Sequence, residues 1–127
     1  MGGAKDKLDT IFELQQLFDN SVIAGRGLEN ISMEEWLQKE TLAMVSELAE
    51  LLDEVNFKWW KNKKQIDTVR VREELVDILH FFVSMCLKAG LSSEELYRMY
   101  IEKNKENFDR QKGLSEKKGY APEGAKE

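Results

Sequence analysis

Apolar positions recur along the chain at near-helical spacing, and they fall into four blocks separated by turn residues. In the first block Leu8, Ile11, Phe12, Leu14, Phe18 and Val22 share one side of a helix running from about Lys5 to Ala24. Gly25 and Gly27 break it. The second helix opens at Ser32, where Ser32 and Glu35 have capping-box spacing, and continues to about Phe57. A polar stretch from Lys61 to Asp67 follows. The third helix starts at Asp67 or Thr68 and runs to Ala89, with Gly90 placed as its stop. Ser92 with Glu95 repeats the capping spacing and opens the fourth helix, which reaches about Lys112. From Gly113 onward Lys, Glu and Gly dominate and no period is visible, so the reading is a folded domain over 1–112 and a flexible tail over 113–127. No strand pattern appears. The expected fold is all-α, a four-helix bundle.

The third helix departs from ordinary amphipathicity. Leu75, Val76, Ile78, Leu79, Phe81, Phe82, Val83, Met85, Cys86 and Leu87 leave its second half almost without a polar face. A helix that is apolar all round has to be covered on all sides. Three neighbours in a chain of 127 residues barely suffice, so the pattern predicts completion of the bundle by a second copy, a homodimer.

Two acidic tetrads interrupt these apolar runs: Glu47-Leu48-Ala49-Glu50 on the second helix and Glu74-Leu75-Val76-Asp77 on the third. A spacing of three residues places both carboxylates on one side of a helix, roughly 60° and about 4.5 Å apart. Met44, Val45 and Leu51 flank the first pair; Val71, Ile78 and Leu79 flank the second. Carboxylates on core-facing stripes are costly without positive charge, and few lysines or arginines sit at matching positions. A convergent all-oxygen donor set of this kind suits a hard cation such as Mg²⁺. The structural alternative is that these carboxylates edge ordinary amphipathic helices and carry no chemistry.

Composition narrows the class. The net charge of −5 makes a poor non-specific binder of nucleic acid, so nucleic acid is not an expected partner. The longest apolar run, Ile78 to Leu87, contains His80 and is too short to span a bilayer, so no membrane partner is expected. Cys86 is the only cysteine, which rules out a disulfide within the chain and fits a cytoplasmic setting.

At these residues the sequence resembles a known family. Glu47-Leu48-Ala49-Glu50-Leu51, Phe57-Lys58-Trp59-Trp60-Lys61, Glu74 through Phe82, and Lys103-Asn104 with Asn107 and Arg110-Gln111 have the order and spacing of the all-α dUTPases, within the MazG-like superfamily of NTP pyrophosphatases. Ile11-Phe12-Glu13-Leu14-Gln15 with Asp19 is similar to the first motif of that family, and the likeness covers about residues 11 to 112. Gly119-Tyr120 come later after the arginine than the family pattern has them.

The resemblance implies hydrolysis of dUTP to dUMP and pyrophosphate, with two or more Mg²⁺ ions held by Glu47, Glu50, Glu74 and Asp77. Glu50, or else Glu47, is the expected base that takes the proton of the attacking water. Lys103, Asn107 and Arg110 lie on one face of the fourth helix and are the expected phosphate contacts, with Lys58 and Lys61 as further cations. Gln15, Asp19, Trp59, Trp60 and Asn104 are the candidates for base and sugar. His80 is expected to orient Asp77 or to sit as a bonded core histidine. Two other readings stay open: a broader MazG-like pyrophosphatase acting on dCTP or a modified nucleotide, and a non-catalytic helical interaction module.

Overall fold

A computed structural model describes residues 5–120. Among them the regular structure is entirely helical: α1 (Lys7–Arg26), α2 (Met33–Glu54), α3 (Thr68–Lys88) and α4 (Ser93–Gln111). The chain divides into two compact units, one reaching to Ser92 and one beginning at Ser93.

Local chemistry fixes the helix ends of the first unit. Asp6 caps α1 by accepting from the Asp9 amide at 2.8 Å, and the Asp9 carboxylate returns the bond to the Asp6 amide. The helix runs through Gly25 and stops where Gly27 turns left-handed at φ 64°, its amide closing on the Ile23 carbonyl. Ser32 Oγ accepts from the Glu35 amide at 3.1 Å, whereas the Glu35 carboxylate pairs with Lys39 at 3.5 Å. Only the hydroxyl half of that expected box therefore forms. Asp67 caps α3 by accepting from the amides of Val69 and Arg70.

Between α2 and α3 the chain makes a closed loop. Asn56, in the left-handed region at φ 59°, exchanges two hydrogen bonds with the backbone of Lys64 at 2.9 and 3.0 Å. Buried Glu54 anchors the same loop through Arg70 at 3.1 Å and Lys64 at 3.5 Å.

Helix α3 is central, packing on both α1 and α2. Contacts ascend together on α1 and α3, with Gln15 meeting His80 and Asp19 meeting Ser84. They run oppositely on α2, where Glu40 meets Ser84 and Glu47 meets Glu74. Among the described residues Phe12, Val83 and Cys86 are the buried apolar side chains. Among the described residues part of the apolar surface of α3 stays open: Leu75, Val76, Leu79 and Phe82 are two-fifths to half exposed, as are Val45, Leu48 and Leu52 on α2.

The second unit is α4 with the segment that follows it. Arg110 bonds Glu106 at 3.0 Å, and Ser115 Oγ donates to the same carboxylate. Tyr120 places its ring 5.4 Å from the Arg110 guanidinium.

Candidate active site

The two acidic tetrads meet across the α2–α3 interface. One carboxylate oxygen from each of Glu47, Glu50 and Glu74 lies within 4.8 Å of the others. The same-side spacing on each helix and the antiparallel packing produce this meeting. Glu74 is buried, Glu47 is half-buried and Glu50 is exposed, so the group opens to solvent on the Glu50 side. Among the described residues no lysine or arginine pairs with any of the three. Glu47 Oε2 and Glu74 Oε2 are buried without hydrogen-bond partners. Burial, the adjoining Glu74 carboxyl and the charge of Glu50 push the Glu47 carboxyl up to about 7. Burial likewise raises Glu74. The charge of Asp77 adds to the repulsion on both Glu47 and Glu74. Unpartnered, mutually repelling oxygens are what a divalent cation relieves, and the hard all-oxygen donor set fits Mg²⁺.

Glu47 and Asp77 are also walls of an open cavity of about 830 Å³ lined by α1, α2 and α3. Seven residues before Glu47 on α2 stands Glu40, and seven after Asp77 on α3 stands Ser84. Seven residues are two helical turns, about 10.5 Å along the axis on nearly the same face. The cavity thus has a carboxylate end and, two turns away, a second polar end.

That second end is a continuous network. Gln15 Nε2 donates to Asp19 Oδ1 at 2.9 Å, and His80 Nδ1 lies 2.6 Å from Gln15 Oε1. With Nδ1 carrying the proton, His80 donates to the amide oxygen. Ser84 Oγ stands 2.7 Å from Asp19 Oδ2 and 2.6 Å from Glu40 Oε1. Lys88 Nζ reaches Glu40 at 2.8 Å, Ser84 at 2.8 Å and Asp19 at 3.4 Å, and sits 4.3 Å from the centre of the Trp36 ring. Gln15, Asp19, Glu40 and Ser84 are all buried.

The predicted residues fall into groups. Glu47, Asp77, Gln15, Asp19 and His80 line one cavity, with Glu50 and Glu74 beside it. Trp59 and Trp60 do not line it. They project from the α2–α3 loop at 84% and 61% exposure, edge to face with ring centres 4.6 Å apart. Lys58 and Lys61 border a separate cavity of about 300 Å³ in that loop, where Lys58 pairs with Asp53 at 3.5 Å. Lys103, Asn104 and Asn107 are exposed on α4, and Arg110 is held by Glu106. Sequence reasoning missed Trp36, Glu40, Ser84 and Lys88. The available signal was register: Glu40 and Ser84 repeat the positions of Glu47 and Asp77 two turns away.

A family model described as dUTPase matches residues 7–91, well over half of the chain and all of α1 to α3. The chain belongs to this dUTPase family. Among curated relatives of this dUTPase-family chain, dCTP pyrophosphatase of Enterobacteria phage T4 is 44% identical over 45 residues, which is 35% of this chain and 26% of that protein. The dCTP pyrophosphatase of Enterobacteria phage LZ5 is 32% identical over 74 residues, 58% of this chain and 43% of that protein. A DNA replication protein of phage T4 is 41% identical over 39 residues, 31% of this chain and 10% of that protein. The dUTPase-family chain spans less than half the length of each of these relatives. No solved structure matches it.

Proposed function

We propose that the chain is a Mg²⁺-dependent pyrophosphohydrolase of a pyrimidine deoxynucleoside triphosphate, with dUTP the leading substrate and dUMP and pyrophosphate the products. The observation that carries this reading is the two-ended cavity. Glu47 and Asp77, from the carboxylate group, share its wall with the Gln15–Asp19–His80 side. The separation of two helical turns suits a nucleotide laid with its α-phosphate at the carboxylates and its base at the network.

Glu47, Glu50, Glu74 and Asp77 would hold the cation, which supplies Lewis-acid polarisation of phosphoryl oxygens and acidifies water. Glu50, open to solvent, receives the proton of the attacking water at its carboxylate. Gln15 is positioned for the base by Asp19 and His80, which fix both ends of its amide. Its second N–H is left to donate to a base carbonyl. For the departing pyrophosphate the candidates are Lys103, Asn107 and Arg110 on their shared face of α4. The exposed apolar faces of α2 and α3 support assembly as a homodimer.

A second reading is dCTP as substrate, favoured by the names of the phage relatives. Pyrophosphate release from dUTP, dCTP, dTTP and dATP, with and without Mg²⁺, tests both. Faster turnover per KM on dUTP supports the first, faster turnover on dCTP the second, and no release from any of them rejects the enzyme reading.

A further inference from the structure

The second polar end of the cavity has an unbalanced hydrogen-bond account. Each of the three N–H groups of Lys88 has an acceptor in Glu40, Ser84 or Asp19. The single hydrogen of Ser84 is claimed by Asp19 or Glu40. Asp19 already accepts on both oxygens, from Gln15 on one and from Lys88 on the other. Among the acceptors one group is left over. Glu40 is 7% exposed, lines the cavity, and has no partner for Oε2. Two carboxylates here face one ammonium, so the cluster of Asp19, Glu40 and Lys88 keeps a net negative charge. A buried carboxylate oxygen left unpaired is costly, and the soft terminal torsion of glutamate lets a small turn present it to the cavity. At this end Gln15 keeps one spare N–H donor and Glu40 one spare acceptor oxygen.

Resting on the reading of the cavity as a nucleotide site, we propose that Glu40 is a specificity-determining residue. Its free oxygen accepts an N–H from the ring edge of the pyrimidine remote from the sugar. Both candidate bases can offer one: N3–H in uracil, the exocyclic amino group in cytosine. The ligand class is a nucleobase that donates at this edge, and a base with that donor removed is refused. Lys88 and Ser84 act as positioning residues, since they hold Oε1 and leave Oε2 to face the substrate.

The test is a cycle between protein and substrate. Full-length wild type and Glu40→Gln are compared on dUTP and N3-methyl-dUTP, and on dCTP and N4,N4-dimethyl-dCTP, with pyrophosphate release followed at saturating Mg²⁺. The glutamine keeps the shape and one acceptor for Lys88, but turns an N–H₂ toward the cavity. In wild type, methylation of the preferred base should cost at least about tenfold in kcat/KM, mainly through KM. Glu40→Gln should lose a similar factor on the parent nucleotide and little more on the methylated one. Such non-additivity marks a direct contact. Equal wild-type rates on parent and methylated nucleotides overturn the proposal, and this arm does not require the variant to fold. Equal loss by Glu40→Gln on parent and methylated substrates also overturns it, because a purely structural role weakens both alike. No pyrophosphate release from any nucleotide removes the enzyme reading itself and this inference with it.

Discussion

Replacing Glu47 with glutamine should make the metal-free protein more stable at pH 8 and far less responsive to Mg²⁺. The Glu47 carboxyl is raised from 4.5 to about 7 by burial, by the Glu74 carboxyl and by the charge of Glu50. Between those two values the native state binds the proton more tightly than the unfolded chain. Metal-free stability therefore falls as pH rises from 4.5 to about 7, and above that the full penalty is present. Converted at about 1.4 kcal/mol per unit the shift corresponds to roughly 3 kcal/mol. Water reaching the group from the Glu50 side, and sharing of the proton with Glu74, reduce this to about 1 kcal/mol. Glutamine has no proton to lose and escapes the penalty. In EDTA at pH 8, Glu47→Gln should melt a few degrees above wild type, given about 4–8 °C per kcal/mol for a small domain. At pH 4.5 the difference should vanish. With Mg²⁺ at a hundred times its Kd, wild type should gain about 2.7 kcal/mol, on the order of ten degrees. The variant should lose most of that gain. Thermal unfolding from pH 4.5 to 8.5, in EDTA and in MgCl₂, measures all four quantities. A variant that melts below wild type in EDTA at pH 8 and keeps the full Mg²⁺ shift would take Glu47 out of the cation site.

Four further outcomes are expected. Glu47→Gln, Glu50→Gln, Glu74→Gln and Asp77→Asn should each cut turnover at least about a hundredfold at saturating Mg²⁺; near-normal turnover in any of them removes that residue from the site. Lys88→Met strands Asp19 and Glu40 against each other and should cost about 3–5 kcal/mol in denaturant unfolding, with Lys88→Arg recovering part; an unchanged midpoint would show the network is not closed. Sedimentation at micromolar concentration should give at least twice the 14.8 kDa chain mass, and Phe82→Asp should weaken assembly; a clean wild-type monomer contradicts this. Gln15→Ala should reduce preference among pyrimidine triphosphates more than it slows a poor substrate, and unchanged selectivity would take Gln15 out of base recognition.

The sequence made the four helices legible because their boundaries are written in local chemistry. Gly27, Ser32, Asp67 and Gly90 stop or start helices through their own backbone freedom or side-chain oxygens. The first boundary was blurred because an Asp6–Asp9 box in a charged segment looks like ordinary helix surface. Of the site, the carboxylate tetrads stood out because acidic pairs inside apolar runs have few cheap explanations. Glu40 and Lys88 did not, because each looks like a solvated charge until α1, α2 and α3 are packed together. Ser84 was hidden in the apolar run of α3, where small polar residues carry little signal. Trp59 and Trp60 are expected at the base for their chemistry; they stand, mostly exposed, on the loop that the Asn56–Lys64 bonds close. No local pattern encodes that closure, since its partners are eight residues apart and bond through a backbone group.

If the α2–α3 carboxylates and the cavity beside them act as proposed, a pyrimidine deoxynucleoside triphosphate is cleaved between its α- and β-phosphates. The most direct measurement is product analysis of dUTP and dCTP after incubation with the full chain in MgCl₂, in EDTA, and with Glu74→Gln. Monophosphate and pyrophosphate should appear in equal amounts in MgCl₂, and neither in EDTA nor with the variant. Release of inorganic phosphate with a diphosphate product, or equal cleavage in EDTA, would contradict the proposal.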